Sequence, residues 1–444
     1  MCGTVIPRRP YQYLPESTHS IREVFGHMYV RSIVPLVLIA TVALAGCSSD
    51  NGPSGPPTVT GAIAISAGQD GTCAIGASGG LACWGSVPDG TPQDTSSTDA
   101  FPDSYGATVI DMPASLIAVA LQRTLVSGNS GCAISSDRKT YCWGSLLSGD
   151  DIQPIGVGVT EIAGASSASS VAMEWSAFCV TRTDNKVRCF GSFFGGARGS
   201  DSVDVSDAGP GFSMVASGLS PVQNVIGTSL GHMSGCALRT DSLVACWGTR
   251  HRGQLGGAVA DSTQDCSQWA PAWCQRGPAV VAGGTKYRQI SAQLDHVCAT
   301  RIDGGVDCWG RKFGAATTTV GDWKSTCATA SDCQNTPTAV AVPGTVIRVS
   351  VGMEHACALV SGGDIYCWGD NSRGQLGRPG ASSATPVKVS GGFAFQTLSA
   401  GQMHTCGVET GSGAIGCWGA NWAGQLGDGT TEDSDVPVAV VAAQ

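Results

Sequence analysis

A cysteine followed ten residues later by Cys-Trp-Gly recurs along this chain, and no other feature constrains its fold as much. The clearest copy runs from His355-Ala356-Cys357 to Tyr366-Cys367-Trp368-Gly369, followed by Asp370-Asn371-Ser372-Arg373-Gly374-Gln375-Leu376-Gly377. The second cysteine of the unit falls at Cys83, Cys142, Cys189, Cys246, Cys308, Cys367 and Cys417, so the unit occurs seven times at intervals of 47 to 62 residues. A repeat of this size cannot bury its apolar face alone and must stack on its neighbours, as a solenoid or a propeller does. Each unit holds short β-like pieces, among them Ile347–Gly352, Cys357–Leu359 and the Cys-Trp-Gly run. Glycine-rich turns such as Ser361-Gly362-Gly363-Asp364 separate the last two, which is hairpin chemistry. With 62 glycines, few charges and no long amphipathic period, the chain is expected to be almost all β.

The cysteine spacing has a geometric reading. Folding the Cys357/Cys367 hairpin about its midpoint, Gly362, sets the two cysteines opposite each other on antiparallel strands, about 4.5–5.5 Å apart at Cα. That lies within the reach of a disulfide. The same spacing holds for Cys73/Cys83, Cys132/Cys142, Cys179/Cys189, Cys236/Cys246 and Cys298/Cys308, and Cys406/Cys417 has one extra residue, assigned to the turn Gly411-Ser412-Gly413. One cross-strand disulfide per unit is predicted. Metal binding is the alternative, but a cysteine pair on one hairpin lacks the third and fourth ligands of a structural zinc site.

A fourth strand is expected where Pro278, Pro337 and Pro386 open valine-rich pieces. The first unit looks short of such a strand, and Pro437-Val438-Ala439-Val440-Val441 is a spare copy with no unit behind it. This pattern predicts a ring closed by a C-terminal strand that completes the first blade, leaving only short protected edges.

The run Cys-Trp-Gly-x-Asn-x-x-Gly-Gln-Leu-Gly, at Cys367 to Gly377 and Cys417 to Gly427 and in worn form at Cys246 to Gly256, resembles the repeat of the regulator of chromosome condensation family. The resemblance implies an all-β, seven-bladed β-propeller over residues 61–444. It is weaker in the second and third units, where Phe190 replaces the tryptophan and no Gly-Gln-Leu-Gly follows. The cysteine pairs depart from the eukaryotic members and read as an adaptation to export.

Residues 1–46 are expected to be a signal region, with the true start at Met28. A short basic start (Met28–Arg31) precedes the apolar stretch Ser32–Ala43, which is shorter than the ~20 residues a membrane span needs. Leu44-Ala45-Gly46-Cys47 is similar to the lipobox of bacterial lipoproteins, which implies cleavage before Cys47 and acylation of its thiol. Residues 47–60 then form a lipidated, Gly/Pro/Ser-rich tether. The expected place is the bacterial cell envelope, lipid-anchored at the outer membrane or cell surface, where disulfides persist. Removing residues 1–46 takes away four basic and two acidic residues, leaving 21 against 32, a net charge of −11. Without a basic stripe, nucleic acid is not an expected partner.

Candidate contact residues lie in the connectors behind Cys-Trp-Gly. Two consecutive ones carry their own cysteines, Cys266/Cys274 and Cys327/Cys333, predicted to pair and to leave equivalent points of the ring on one face. Trp269, Trp273 and Trp323 sit in them, outside the repeated positions, and tryptophan is enriched at interface hot spots; covering blade edges is the bland reading. The repeated Trp84, Trp143, Trp247, Trp309, Trp368 and Trp418 are expected to pack between blades. His296, His355 and His404 each precede a first cysteine by two residues; hydrogen bonding is the expected role, convergence on a metal the rival.

No nucleophile elbow, zinc-protease helix or phosphate loop is present, so no catalytic residue, cofactor or metal is assigned. The expected function is a non-enzymatic, monomeric binding platform for an exported protein or an envelope glycan. The family resemblance adds an inhibitor of a secreted enzyme as one alternative, and a polysaccharide or peptide lyase or hydrolase is another. The nucleotide-exchange role of eukaryotic relatives is disfavoured by export.

Overall fold

The computed structural model describes residues 59–86, 104–122, 130–148, 151–154, 159–174, 177–191, 214–215, 225–231, 234–250, 252–257, 274–313 and 332–442. The expected signal region, Cys47, Cys266, Cys327, Trp269, Trp273 and Trp323 lie outside these residues.

Seven four-stranded antiparallel sheets form the described chain, each built from strands consecutive in sequence apart from one inserted hairpin. Blade 1 is Ala62–Ala67, Gly71–Gly76, Leu81–Gly85 and Ser104–Ile110. Blade 2 is Leu116–Leu121, Gly131–Ser135, Thr140–Trp143 and Thr160–Glu161, with the hairpin Ser145–Ser148/Asp151–Pro154 inserted before its last strand. Blade 3 is Ala168–Glu174, Ala177–Arg182, Val187–Gly191 and Met214–Val215, and blade 4 is Val225–Gly231, Ser234–Arg239, Val244–Thr249 and Cys274–Val280. Blade 5 is Tyr287–Gln293, His296–Arg301, Val306–Arg311 and Cys333–Val340. Blade 6 is Val346–Val351, His355–Val360, Ile365–Gly369 and Ser383–Lys388, and blade 7 is Phe395–Ala400, His404–Glu409, Ile415–Gly419 and Ser434–Ala439. The first strand of each blade lines a central channel.

The predicted cysteine register holds in all seven blades. Cys357 stands opposite Cys367, and Cys73, Cys132, Cys179, Cys236, Cys298 and Cys406 stand opposite their partners in the same way. Each pair is a disulfide with Cα atoms 4.0–4.1 Å apart. A closed loop this short is expected to stabilise the fold by about 2–4 kcal/mol per bond, through loss of unfolded-chain entropy. Cys333 is also disulfide-bonded.

The tryptophan beside each second cysteine joins one blade to the next. Seven apolar clusters lie at the seven blade junctions, and in each the Trp (or Phe190) of one blade packs onto the disulfide of the blade before it. Trp143 meets Cys73 and Cys83, Trp418 meets Cys357 and Cys367, and Trp84 meets Cys406 and Cys417, which closes the ring. In five blades the ladder to the fourth strand skips at the tryptophan, as between Cys83 and Gly85. Such a bulge re-aims one side chain away from the regular pleat, here against the neighbouring blade. A second bulge recurs after the first residue of every inner strand.

The C-terminal strand corrects one expectation. Ser434–Ala439 completes blade 7, not blade 1, because it returns antiparallel onto its own preceding strand, pairing Cys417 with Val438 and Gly419 with Ser434. Blade 1 takes its fourth strand from its own connector, Ser104–Ile110, which lacks the proline-led piece of the fourth strands in blades 4 to 7. The proline pieces are thus the last strands of the units before them. Beyond Ala439 the chain does reach blade 1: Val59 N–H donates to the Val440 carbonyl at 2.9 Å, and Ala107 bridges to Ala442.

Candidate functional site

First and third strands of a blade run in the same direction, so the inner turns and the segments behind Cys-Trp-Gly emerge on one face of the ring. The ends of the two cysteine-bearing connectors, Gly257 and Cys274 in blade 4 and Phe313 and Asp332 in blade 5, belong to this loop face.

Gly-Gln-Leu-Gly is a clasp between blades. The carbonyl of Gln425 in blade 7 accepts from Trp84 Nε1 of blade 1 at 3.0 Å; Gln375 and Gln254 do the same for Trp418 and Trp309. The closing glycine lies flat against that indole. A Cβ on Gly427, whose φ is +67°, would come 2.6 Å from Trp84 Cδ1. Asn371 and Asn421 hold the turn locally, each accepting from the following leucine N–H at 2.9 Å. Blade 5 lacks the motif, and Phe313 takes its place edge-on to Trp368.

The three histidines do not converge. His355 Nε2 lies 2.8 Å from Thr405 Oγ1 of blade 7, and His404 Nε2 lies 2.8 Å from Thr72 Oγ1 of blade 1. Blade 6 offers Ala356 where the others offer threonine, so His296 turns its Nδ1 to the Arg311 carbonyl at 2.6 Å and stacks on Phe313. Burial pulls His296 and His355 down to about 4. Hydrogen bonding is therefore their role, between blades for His355 and His404 and within blade 5 for His296, and among the described residues no group of acids, cysteines and histidines is placed to hold a metal.

On the loop face, the segment behind Cys-Trp-Gly reaches over the inner turn of the next blade. Arg252 pairs with Asp295 at 2.8 Å and Arg311 pairs with Glu354, both arginines almost fully buried. Burial raises the Glu354 carboxyl above its ordinary value. These pairs lock blades 4 to 5 and 5 to 6.

The junction of blades 6, 7 and 1 is built differently, because its groups face water. Trp422 is 41% exposed, the one tryptophan among the large exposed apolar residues described. Its Nε1 donates to Asp70 Oδ1 of blade 1 at 3.1 Å, and the Arg373 guanidinium lies 5.7 Å from its ring centroid. Arg373 in turn pairs with Asp433 at 3.0 Å. An exposed cation–π contact contributes about 0.5–1 kcal/mol, which adds to the Asp70 bond in favouring one orientation of the indole with part of its surface open. Trp422, Arg373, Asp433 and Asp70 thus form a preset aromatic and charged patch. The sequence marks Trp422 only faintly: it stands in Cys417-Trp-Gly-Ala-Asn-Trp422, where the other well-formed copy has Ser372, inside a motif whose residues otherwise serve the fold. Asp428, Asp433 and Asp435 do not gather as a cation site; Asp428 and Asp433 bond Asn421.

Comparison with known proteins agrees with this geometry. Residues 346–375 and 362–408 match models of the regulator of chromosome condensation (RCC1) repeat. The chain is 26% identical over 228 residues to the probable E3 ubiquitin-protein ligase HERC4 of Mus musculus, half of this chain but a fifth of that protein. Its fold is similar to that of human WBSCR16, with a TM-score of 0.59 and 18% identity, covering 82% of this chain and 92% of that one. It is likewise similar to Prp20p of Saccharomyces cerevisiae, with a TM-score of 0.58 and 16% identity over 77% and 80% of the two chains. The chain is a seven-bladed β-propeller whose residues 346–408 match the regulator of chromosome condensation repeat.

Proposed function

We propose that this chain is a lipid-anchored, non-enzymatic platform of the bacterial cell envelope that binds an exported protein through its loop face, at blades 6, 7 and 1. The observation that carries the reading is Trp422, open to solvent yet held by Asp70 and Arg373. A rigid aromatic anchor beside an arginine is the composition of interface hot spots, and its orientation is set before binding, which lowers the ordering cost. Prp20p is described with binding properties to Gsp1p and histones, so a propeller of this shape holds protein partners. Export rests on the Leu44-Ala45-Gly46-Cys47 signal and agrees with seven disulfides, which an oxidising compartment preserves. Trp269, Trp273 and Trp323 would extend the same surface over blades 4 and 5. Inhibition of a secreted enzyme is the sharper form of this reading.

The test is affinity capture from envelope extract with the oxidised chain, beside Trp422→Ala and a version with residues 257–277 and 311–336 replaced by short Gly-Ser links. A protein held by the full chain and lost from Trp422→Ala supports the site. A protein held equally by all three baits sinks the site assignment, and recovery of glycan alone sinks the protein-partner reading.

A further inference from the structure

The central channel has a chemistry that the loop-face reading does not use. It encloses about 220 Å³ and is lined by the inner strands of all seven blades. A girdle of serines runs around it. Ser66, Ser229, Ser291, Ser350 and Ser399 each accept a hydrogen bond from an inner-strand N–H of the next blade, at 2.8–3.1 Å. In blades 2 and 3 the same position is Ala120 and Ala172. A hydroxyl that accepts still has its own proton to donate, so the girdle offers five O–H donors at the channel wall.

Arg348 carries the only charge among the described residues that line this channel. It stands two residues before Ser350 on one strand, hence on the same face. The corresponding positions in the other blades are Ala64, Ala118, Ser170, Gly227, Gln289 and Thr397. Gln289 spends its amide on the Val349 backbone, accepting at 3.0 Å and donating at 2.9 Å. The Arg348 guanidinium has no ion pair or side-chain hydrogen bond among the described residues. Its side chain is exposed to solvent, and the strands packed around it lower its pKa, with no carboxylate near enough to oppose them. A solvent-facing guanidinium without a counter-charge is free to take one, in a chain that elsewhere carries excess acid.

We propose that the axial channel is a carboxylate site, with Arg348 as the reading residue and the serine girdle as its secondary donors. The planar guanidinium fits a carboxylate with two parallel N–H···O bonds. A singly charged carboxylate matches its single charge, whereas a doubly charged phosphate would leave one charge uncompensated. The volume falls below that of drug-sized pockets, about 300–1,000 Å³, so the group is a small acid or the tip of an aspartate or glutamate side chain. The site is independent of what docks on Trp422.

Titration calorimetry on the oxidised full chain tests this, with acetate and with a capped pentapeptide bearing one central aspartate as probes. Saturable binding of either, weakened about ten- to a hundredfold by Arg348→Met, is the expected result. Arg348→Lys should fall between, since it keeps the charge and loses the fork. Acetate binding identifies a free acid as the source; binding of the peptide alone identifies a side chain delivered by a partner. The melting temperature of Arg348→Met should match the parent, because the side chain makes no bond within the fold. Absence of saturable binding by both probes, or equal affinity in Arg348→Met, overturns the proposal.

Discussion

The joint between blades 7 and 1 and the joint between blades 2 and 3 solve one packing problem with different means. Both bury an aromatic ring against the preceding disulfide. At 7/1, polar bonds fix the geometry as well: Trp84 to the Gln425 carbonyl, His404 to Thr72, and Ala67 N–H to Ser399. At 2/3, Phe190 replaces the indole and stacks on Phe178 at 4.8 Å, and Ala120 replaces the serine. Apolar contact is non-directional and supplies adhesion; hydrogen bonds supply orientation, because a buried donor left unmade is costly. The ring is thus more strictly oriented at 7/1, and likewise at 6/7, than at 2/3, and Trp422 is mounted over the 7/1 joint. A recognition group held on such a support keeps its geometry without help from the partner.

The comparison breaks most visibly at Gly427. Gly427→Ala forces a methyl group onto Trp84 at a positive φ and should destabilise by about 3 kcal/mol in chemical denaturation. A cost under 1 kcal/mol would mean that the clasp gives way freely. Next comes the girdle. Ser399→Ala strands the buried Ala67 N–H and should cost about 2 kcal/mol, while Ala172→Ser in blade 3 should be close to neutral. Equal effects would erase the distinction between the joints.

A smaller difference separates two fully buried tryptophans. Trp84→Phe loses a hydrogen bond, whereas Trp143 Nε1 has no partner among the described residues. Trp84→Phe should therefore be the more damaging by about 1 kcal/mol. The smallest effect near neutrality is that of pH. His296 and His355 have folded pKa values lowered to about 4, so their contribution is complete above the ordinary histidine value of about 6.5 and fades as pH falls from there towards 4. The melting temperature should drop across that window, and His355→Gln should flatten the slope. Blades 1 to 4 have no histidine at this position, so the effect belongs to blades 5 to 7.

Most of the architecture was legible because its determinants are local and repeated. Ten-residue spacing about a glycine turn dictates the opposed cysteines, and the recurrence of tryptophan beside them dictates packing between blades. The fourth strand of blade 1 was not legible, since Ser104–Ile110 lacks the proline that opens its counterparts in blades 4 to 7 and only its pairing with Leu81–Gly85 identifies it. The candidate site was less readable still. Trp422 and Arg373 lie 49 positions apart, and Asp70 at the other end of the chain meets them only once the ring has closed. Arg348 is one arginine among many until the topology places it in the channel.

Hydrogen exchange on the complex recovered from envelope extract tests the platform account most directly. The account predicts new protection at residues 370–376, 420–426 and 69–71, with the disulfide-braced strands unchanged. Protection confined to the opposite face, or spread over blades 2 and 3 alone, would contradict it.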